Sequence, residues 1–359
     1  MSPEELVGLL RELVELESPT EDSEGIRTLG ARVSTELEAL GGDVRSVGDH
    51  LRADFEGEGQ PLLVLGHLDT VWPRGTLARL PFRIEGDRAY GPGVYDMKAG
   101  IVILLAALSE TGPRRRALRI FLTADEEAGS PTGKPLIEEA AAGVSAALVV
   151  EPALPDGGLK TARKGLGRFR LEISGVAAHS GTNAGQGASA IVELARQVLR
   201  LEALNDESRG ISVNVGVVAG GTRDNVVAAE ASAQIDVRIA SAADVAPLEL
   251  ALRTLEPALE ETSLSLSGGW TRPPLERSDS SAALFARARE HGQALSLDLR
   301  EGSSGGGSDG NLVGALGIPV LDGLGPLGGG AHGDDEHVLL DSLPSRVALL
   351  ARLLADPQL

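Results

Sequence analysis

Three apolar runs, each closed by an acid or an imidazole, constrain this chain more than any other feature. They are Leu62-Leu63-Val64-Leu65-Gly66-His67-Leu68-Asp69, Ile120-Phe121-Leu122-Thr123-Ala124-Asp125-Glu126-Glu127 and Ala147-Leu148-Val149-Val150-Glu151-Pro152. Apolar runs of this length, bounded by Gly or Pro, read as buried strands of a parallel sheet. Ligands in such sheets bind beyond the carboxyl ends of the strands. One imidazole and several carboxylates are therefore expected at a single edge. Ionised acids packed that closely repel one another unless positive charge lies between them. One or two divalent metal ions would satisfy them.

Composition narrows the chemistry. The chain has 359 residues, of which 42% are hydrophobic, enough for a large core and for two domains. It has no cysteine, so disulfides and thiolate catalysis are excluded and any metal must be held by His, Asp and Glu. A formal net charge of −19 leaves no basic stripe to neutralise phosphates, which argues against nucleic acid, and it disfavours anionic membrane surfaces. The first residues, Met1 to Leu6, lack the basic and apolar regions of a signal peptide. The longest apolar stretch, 99–108, is too short to span a bilayer. A cytoplasmic location is expected.

Periodicity divides the chain. Helices are expected at 3–18 and 22–40, β segments at 43–55 and 61–67, and an apolar helix directly after Asp96. Strands near 118–124 and 146–151 alternate with a helix near 132–142, the signature of an α/β sheet. From about residue 165 the pattern changes to half-exposed alternation. A β-α-β-β-α-β order, with helices near 188–203 and 243–260, matches the ferredoxin-like unit. The expected fold is an α/β catalytic domain with a mostly parallel mixed sheet, residues 1–164 and 271–359. A ferredoxin-like α+β domain, 165–270, is inserted into it. Insertion is preferred to two consecutive domains because His332 is needed beside the early carboxylates.

Each candidate residue also has a plainer explanation. His67 and Asp69 point to the same side of an extended segment, as a metal-bound His and its orienting carboxylate do, or they simply end a strand. Asp96 follows a Gly-rich approach and opens a helix, where it could bridge two cations or only cap the helix. Of Glu126 and Glu127, one could ligate metal while its neighbour takes a proton from water; acids at a helix start are also ordinary. Glu151 closes a Val-Val run and could pair with an arginine instead. His332 and His337, five residues apart in a Gly-rich loop, compete for one ligand role. His179 by itself reads as structural. Asn225, Arg238 and Arg272 could hold a substrate carboxylate or an oxyanion, or be surface groups.

Taken together and in order, His67-x-Asp69, Asp96, Glu126-Glu127, Glu151, Ala178-His179-Ser180-Gly181, Thr222-Arg223-Asp224-Asn225 and His332 span nearly the whole chain. This set resembles the zinc-dependent aminoacylase and carboxypeptidase family, which includes acetylornithine deacetylase, succinyl-diaminopimelate desuccinylase and glutamate carboxypeptidase. The resemblance implies a lid inserted in the catalytic domain, which also dimerises, and two zinc ions, for which cobalt or manganese could substitute. Asp96 would bridge the ions, with His67 and Glu151 on one and Glu127 and His332 on the other. Glu126 would be the general base, oriented alongside Asp69, and His179 would stabilise the oxyanion, commonly in the partner subunit's site. Asn225 and Arg238 would assist from the lid.

The stretch 81–93, Thr123 to Ser130, Arg272-Pro273 and Gly305-Gly306-Gly307-Ser308-Asp309 are most similar to the folate-cleaving glutamate carboxypeptidases. Arg272 would then bind a free α-carboxylate bidentately, with Gly306 lining the same pocket. His337 departs from the family, which usually carries an aromatic residue there; His332 has the better context. The implied reaction is metal-assisted hydrolysis of an amide next to a free α-carboxylate, on a small molecule or short peptide. Two alternatives are an N-acyl amino acid deacylase of the acetylornithine deacetylase type and, in another class, a non-catalytic metal-stabilised binding module.

Overall fold

The computed structural model describes residues 1–111 and 116–359. Contacts divide the chain into two compact units, one of Met1–Ala162, Arg277–Ser304 and Ser308–Leu359, the other of Arg163–Glu276 and Gly305–Gly307.

The first unit is built on a six-stranded mixed sheet in the order Asp43–Val47, His50–Phe55, Arg116–Thr123, Glu58–His67, Ala146–Val149, Val320–Leu321. The last four strands run parallel to one another, and the first two form an antiparallel hairpin at one edge. Register sets where the central strands end. His67 pairs with Thr123, and Leu65 pairs with Val149. The chain therefore leaves all three central strands at the same level, and residues 67, 126–127 and 151 emerge at one edge.

Helices cover this sheet. Pro3–Glu15 begins at a capping box in which Ser2 and Glu5 exchange hydrogen bonds, and it buries Leu6, Leu9, Leu10, Leu13 and Val14 along one stripe. The apolar run 99–108 forms a helix buried on every side, Ala99–Thr111. No described helix is long and apolar enough to cross a membrane. Two glycines bring this helix onto the strand end. A Cβ on Gly100 would lie 2.1 Å from the Val150 carbonyl oxygen, and one on Gly66 would lie 2.7 Å from the Met97 methyl. Only bare backbone permits that approach.

The second unit is a four-stranded antiparallel sheet, ordered Ser212–Gly220, Glu230–Ile239, Gly165–Ser174, Ser263–Arg272. With helices Ala190–Glu202 and Val245–Arg253 it has the ferredoxin-like order. Phe169, Leu171 and Ile173 alternate into its core against Ile235, Val237 and Ile239. The helix expected to reach residue 260 ends at Arg253, four residues before Pro257, whose ring disfavours helical backbone just ahead of it.

Candidate metal centre

At the common strand edge two groups of donor atoms converge: His67, Asp96 and Glu151, and Asp96, Glu127 and His332. Asp96 belongs to both. Its Oδ1 is 3.2 Å from His67 Nε2, and its Oδ2 is 3.4 Å from His332 Nε2. Glu151 Oε1 lies 3.5 Å from His67 Nε2, and Glu127 Oε1 lies 3.2 Å from His332 Nε2.

Hydrogen bonds set the direction of each ligand. His67 Nδ1 is 2.9 Å from the Asp69 carbonyl oxygen, which can only accept, so Nδ1 carries the proton. Nε2 of His67 then faces two carboxylate oxygens, of Asp96 and Glu151, an arrangement that needs either a proton or a cation at that nitrogen. Glu127 Oε1 is buried and meets His332 Nε2 at 3.2 Å without the alignment of a hydrogen bond. A divalent cation satisfies both arrangements. Four-coordinate ions with bonds of about 2.0–2.1 Å place neighbouring donors about 3.3 Å apart, which these separations match. The residues therefore fit a pair of ions sharing Asp96.

The same charges act on protons. Burial would lower His67, but hydrogen bonding to Asp69 and Asp96 holds it well above its ordinary value. His332 is pushed up to about 10, first by Asp96 and then by Glu127. Burial would raise Asp96, yet His332 and His67 hold it well below the usual carboxylate range.

Asp69 is buried, and its carboxylate accepts from the backbone N–H of Glu126 at 3.1 Å, from that of Glu127 at 3.2 Å and from Thr20 Oγ1 at 2.9 Å. One residue thus fixes both His67 and the turn Glu126–Ala128. Asp125, the first acid of its trio, turns away and caps Thr132 and Gly133 through Oδ2.

One expectation is corrected. Asp96 does not open a helix: its φ of −114° and ψ of 92° are non-helical, and the helix begins at Ala99. Of the competing histidines, His332 joins the cluster from a loop with φ of 65°, while His337 lies in strand His337–Leu339, its ring 5.4 Å from that of Tyr90.

The other expected residues lie in the second unit. His179 is exposed, and its Nδ1 accepts from the N–H groups of Gly181 at 3.0 Å and Thr182 at 3.2 Å. The ring proton therefore sits on Nε2. Asn225 is beside it, its carbonyl accepting from Ser180 N–H at 3.0 Å. Arg238 is held bidentately by Asp236 at 2.6 and 3.0 Å and reaches the Gly305 carbonyl at 3.2 Å. Arg272 is buried, with Gly307 packed so closely that a Cβ there would lie 2.9 Å from its Cδ. The Gly306 carbonyl accepts from Arg163 at 3.2 Å.

Sequence reasoning missed Glu336. It is 2% exposed and accepts four hydrogen bonds, from Trp72 Nε1 and from the N–H groups of Gly93, Tyr95 and Asp96. Burial pushes its carboxyl above the usual range against the pull of those donors. In the string Asp334-Asp335-Glu336 nothing separates it from solvated acids.

Residues 63–356 match the family described as Peptidase family M20/M25/M40. The chain is 33% identical to carboxypeptidase G2 from Pseudomonas sp. (strain RS-16), over 98% of this chain and 89% of that protein. It is 28% identical to succinyl-diaminopimelate desuccinylase from Methylococcus capsulatus, over 84% of each. In fold it resembles aminopeptidase PepT from Bacillus cereus ATCC 10987, with a TM-score of 0.83 at 18% identity over 99% of this chain and 98% of that one.

Proposed function

The chain belongs to peptidase family M20/M25/M40 and is a metal-dependent hydrolase, and from that premise we propose that it is a di-zinc exopeptidase releasing a C-terminal residue, glutamate above all, from an amide. The observation that carries the two-ion reading is the sharing of Asp96 by both donor groups. His67 and Glu151 would complete one site, and Glu127 and His332 the other. Bound there, divalent ions polarise an amide carbonyl and lower the pKa of water to about 7.

The protein's own residues do the rest. Glu126 takes a proton from the attacking water and delivers it to the leaving nitrogen. Two facts support that role. Its N–H is pinned by Asp69, and its charge is near enough to His67 to help hold the imidazole protonated. His179, with its ring proton on Nε2, donates to the developing oxyanion. We infer that it is presented in a homodimer. Arg272 would bind the free α-carboxylate, aided by Asn225 and by the loop at Gly306. Arg238 already answers to Asp236, so it would orient that loop through Gly305 rather than take the carboxylate itself.

A hydrolysis screen tests this. Protein loaded with zinc should release glutamate from pteroyl- and benzoyl-glutamate faster than it cleaves dipeptides or N-acetyl amino acids, with two ions per chain by metal analysis. The desuccinylase likeness supports the rival reading, an N-acyl amino acid deacylase. Cleavage of N-acyl amino acids with no release of C-terminal glutamate would establish that rival instead.

A further inference from the structure

Glu336 has no ligand role in this reaction, yet it touches the turn that carries the shared ligand. We propose that Glu336 is a positioning residue that locks the His332 loop to the Asp96 turn and so secures the Asp96–Glu127–His332 site in particular. The inference rests on the two-ion reading above.

Strand register brings the two segments together. Strand His337–Leu339 pairs antiparallel with Arg88–Tyr90, with His337 opposite Tyr90. Residue 336 therefore enters where the chain leaves Tyr90 for the turn 91–96. There its carboxylate meets donors from both directions. Oε2 accepts from Trp72 Nε1 at 2.7 Å and from Gly93 N–H at 3.0 Å. Oε1 accepts from Tyr95 N–H at 2.9 Å and from Asp96 N–H at 3.0 Å. A carboxylate offers about four lone-pair directions, and all four are used. The last of these bonds holds the backbone of Asp96 itself.

The other end of the lock is covalent. His332 lies four residues earlier, in a loop closed by Gly333 N–H on the Gly330 carbonyl at 2.8 Å and by Glu336 N–H on the Gly333 carbonyl at 2.9 Å. One residue thus fixes two ligands of the second site, Asp96 through its amide and His332 through the loop. The first site depends on it less. His67 ends a central strand, its N–H donates to Met97 Sδ at 3.2 Å, and Asp69 orients its ring. Glu151 follows another central strand in matching register.

The test is titration of metal-free protein with Co²⁺, read by calorimetry and by the visible d–d spectrum. Wild-type protein should bind two ions per chain. Glu336→Gln keeps the shape but turns an NH₂ group toward two N–H donors. The His332 site, whose imidazole is 48% exposed where that of His67 is 1% exposed, should be the weaker of the two. Groups that hold ligands in place typically contribute about 10–100-fold in metal affinity, so that weaker site should lose that much while the tighter one changes only a few-fold. Its band should shift in the two-ion spectrum and not in the one-ion spectrum. Wild-type-like binding at both sites, or equal weakening of both, would overturn the inference alone. Wild-type protein binding fewer than two ions would overturn the two-ion reading and this inference with it. Should Glu336→Gln fail to fold, Trp72→Phe removes a single donor and carries the test. A several-fold loss confined to the weaker site supports the lock, and no change at either site overturns it.

Discussion

The residues of the strand edge and those of the inserted unit are held in different ways. At the edge, His67, Asp69 and Glu151 are buried. Asp69 orients the His67 ring and the Glu126 and Glu127 amides from inside the same unit, and His332 is the one exposed donor of the two groups. In the inserted unit, His179 and Asn225 are exposed on loops. There the local hydrogen bonds decide only which nitrogen of His179 carries its proton. A preorganised cluster of charge needs burial, because low dielectric strengthens each interaction and rigid neighbours keep like charges in place. A donor that must meet a substrate needs exposure. Under the proposed function, the first region would hold cations and the second would reach a substrate.

The contrast predicts that substitutions in the two regions fail differently. Glu126→Gln should lower kcat by about 10²–10⁴-fold while metal content, by elemental analysis, stays near wild type. Normal turnover would remove the assignment of the base. His179→Ala should lower kcat by about 10²–10³-fold, again with metal retained, as loss of one oxyanion donor does. Metal lost in proportion would make His179 a ligand and erase the distinction between the regions.

A pH experiment sharpens the picture of the edge. His67 and His332 are raised in the metal-free fold, His332 to about 10, whereas an unfolded His titrates at about 6.5. The metal-free fold thus binds more protons than the unfolded chain. The stability it gains is fully present below that unfolded value and is lost as pH rises through the folded one. Metal must displace those protons, so its affinity rises over the same interval. The Tm difference between metal-loaded and metal-free protein should widen as pH rises toward about 10, with proton release seen by calorimetry in buffers of different ionisation enthalpy. A flat difference would mean that the imidazoles do not exchange protons for metal. The smallest effect is expected at His337. Its change to Asn should leave turnover and metal content unaltered and cost about 0.5–1.5 kcal/mol for the ring pair with Tyr90.

Much of the sheet edge was legible in the sequence because it is local. An apolar run that ends in His or Glu states both the strand and where it stops, and parallel strands stop together. The β-α-β-β-α-β order was legible for the same reason, from alternation within each strand. Arg238 carried a legible signal of a different kind. Asp236 and Arg238 are two apart on a strand and so share a face, and their pairing follows from that spacing. Glu336 had no such signal. Three of its four donors are backbone N–H groups about 240 residues away in the chain, and amides carry no mark of their partner in the residue type.

By itself the sequence determined that acids and one imidazole meet at the end of a parallel sheet, without cysteine, in a setting that calls for cations. Periodicity and composition are sufficient for that, since burial of apolar strands follows from their residues alone. The residues read one by one left open whether Asp96 serves both donor groups and whether His332 or His337 joins them. The family resemblance pointed to the arrangement the tertiary structure shows, and only that structure revealed that Glu336 ties their loops together. Those choices depend on strand register and on hydrogen bonds closed across most of the chain length, where a displacement of one residue turns a side chain to the opposite face.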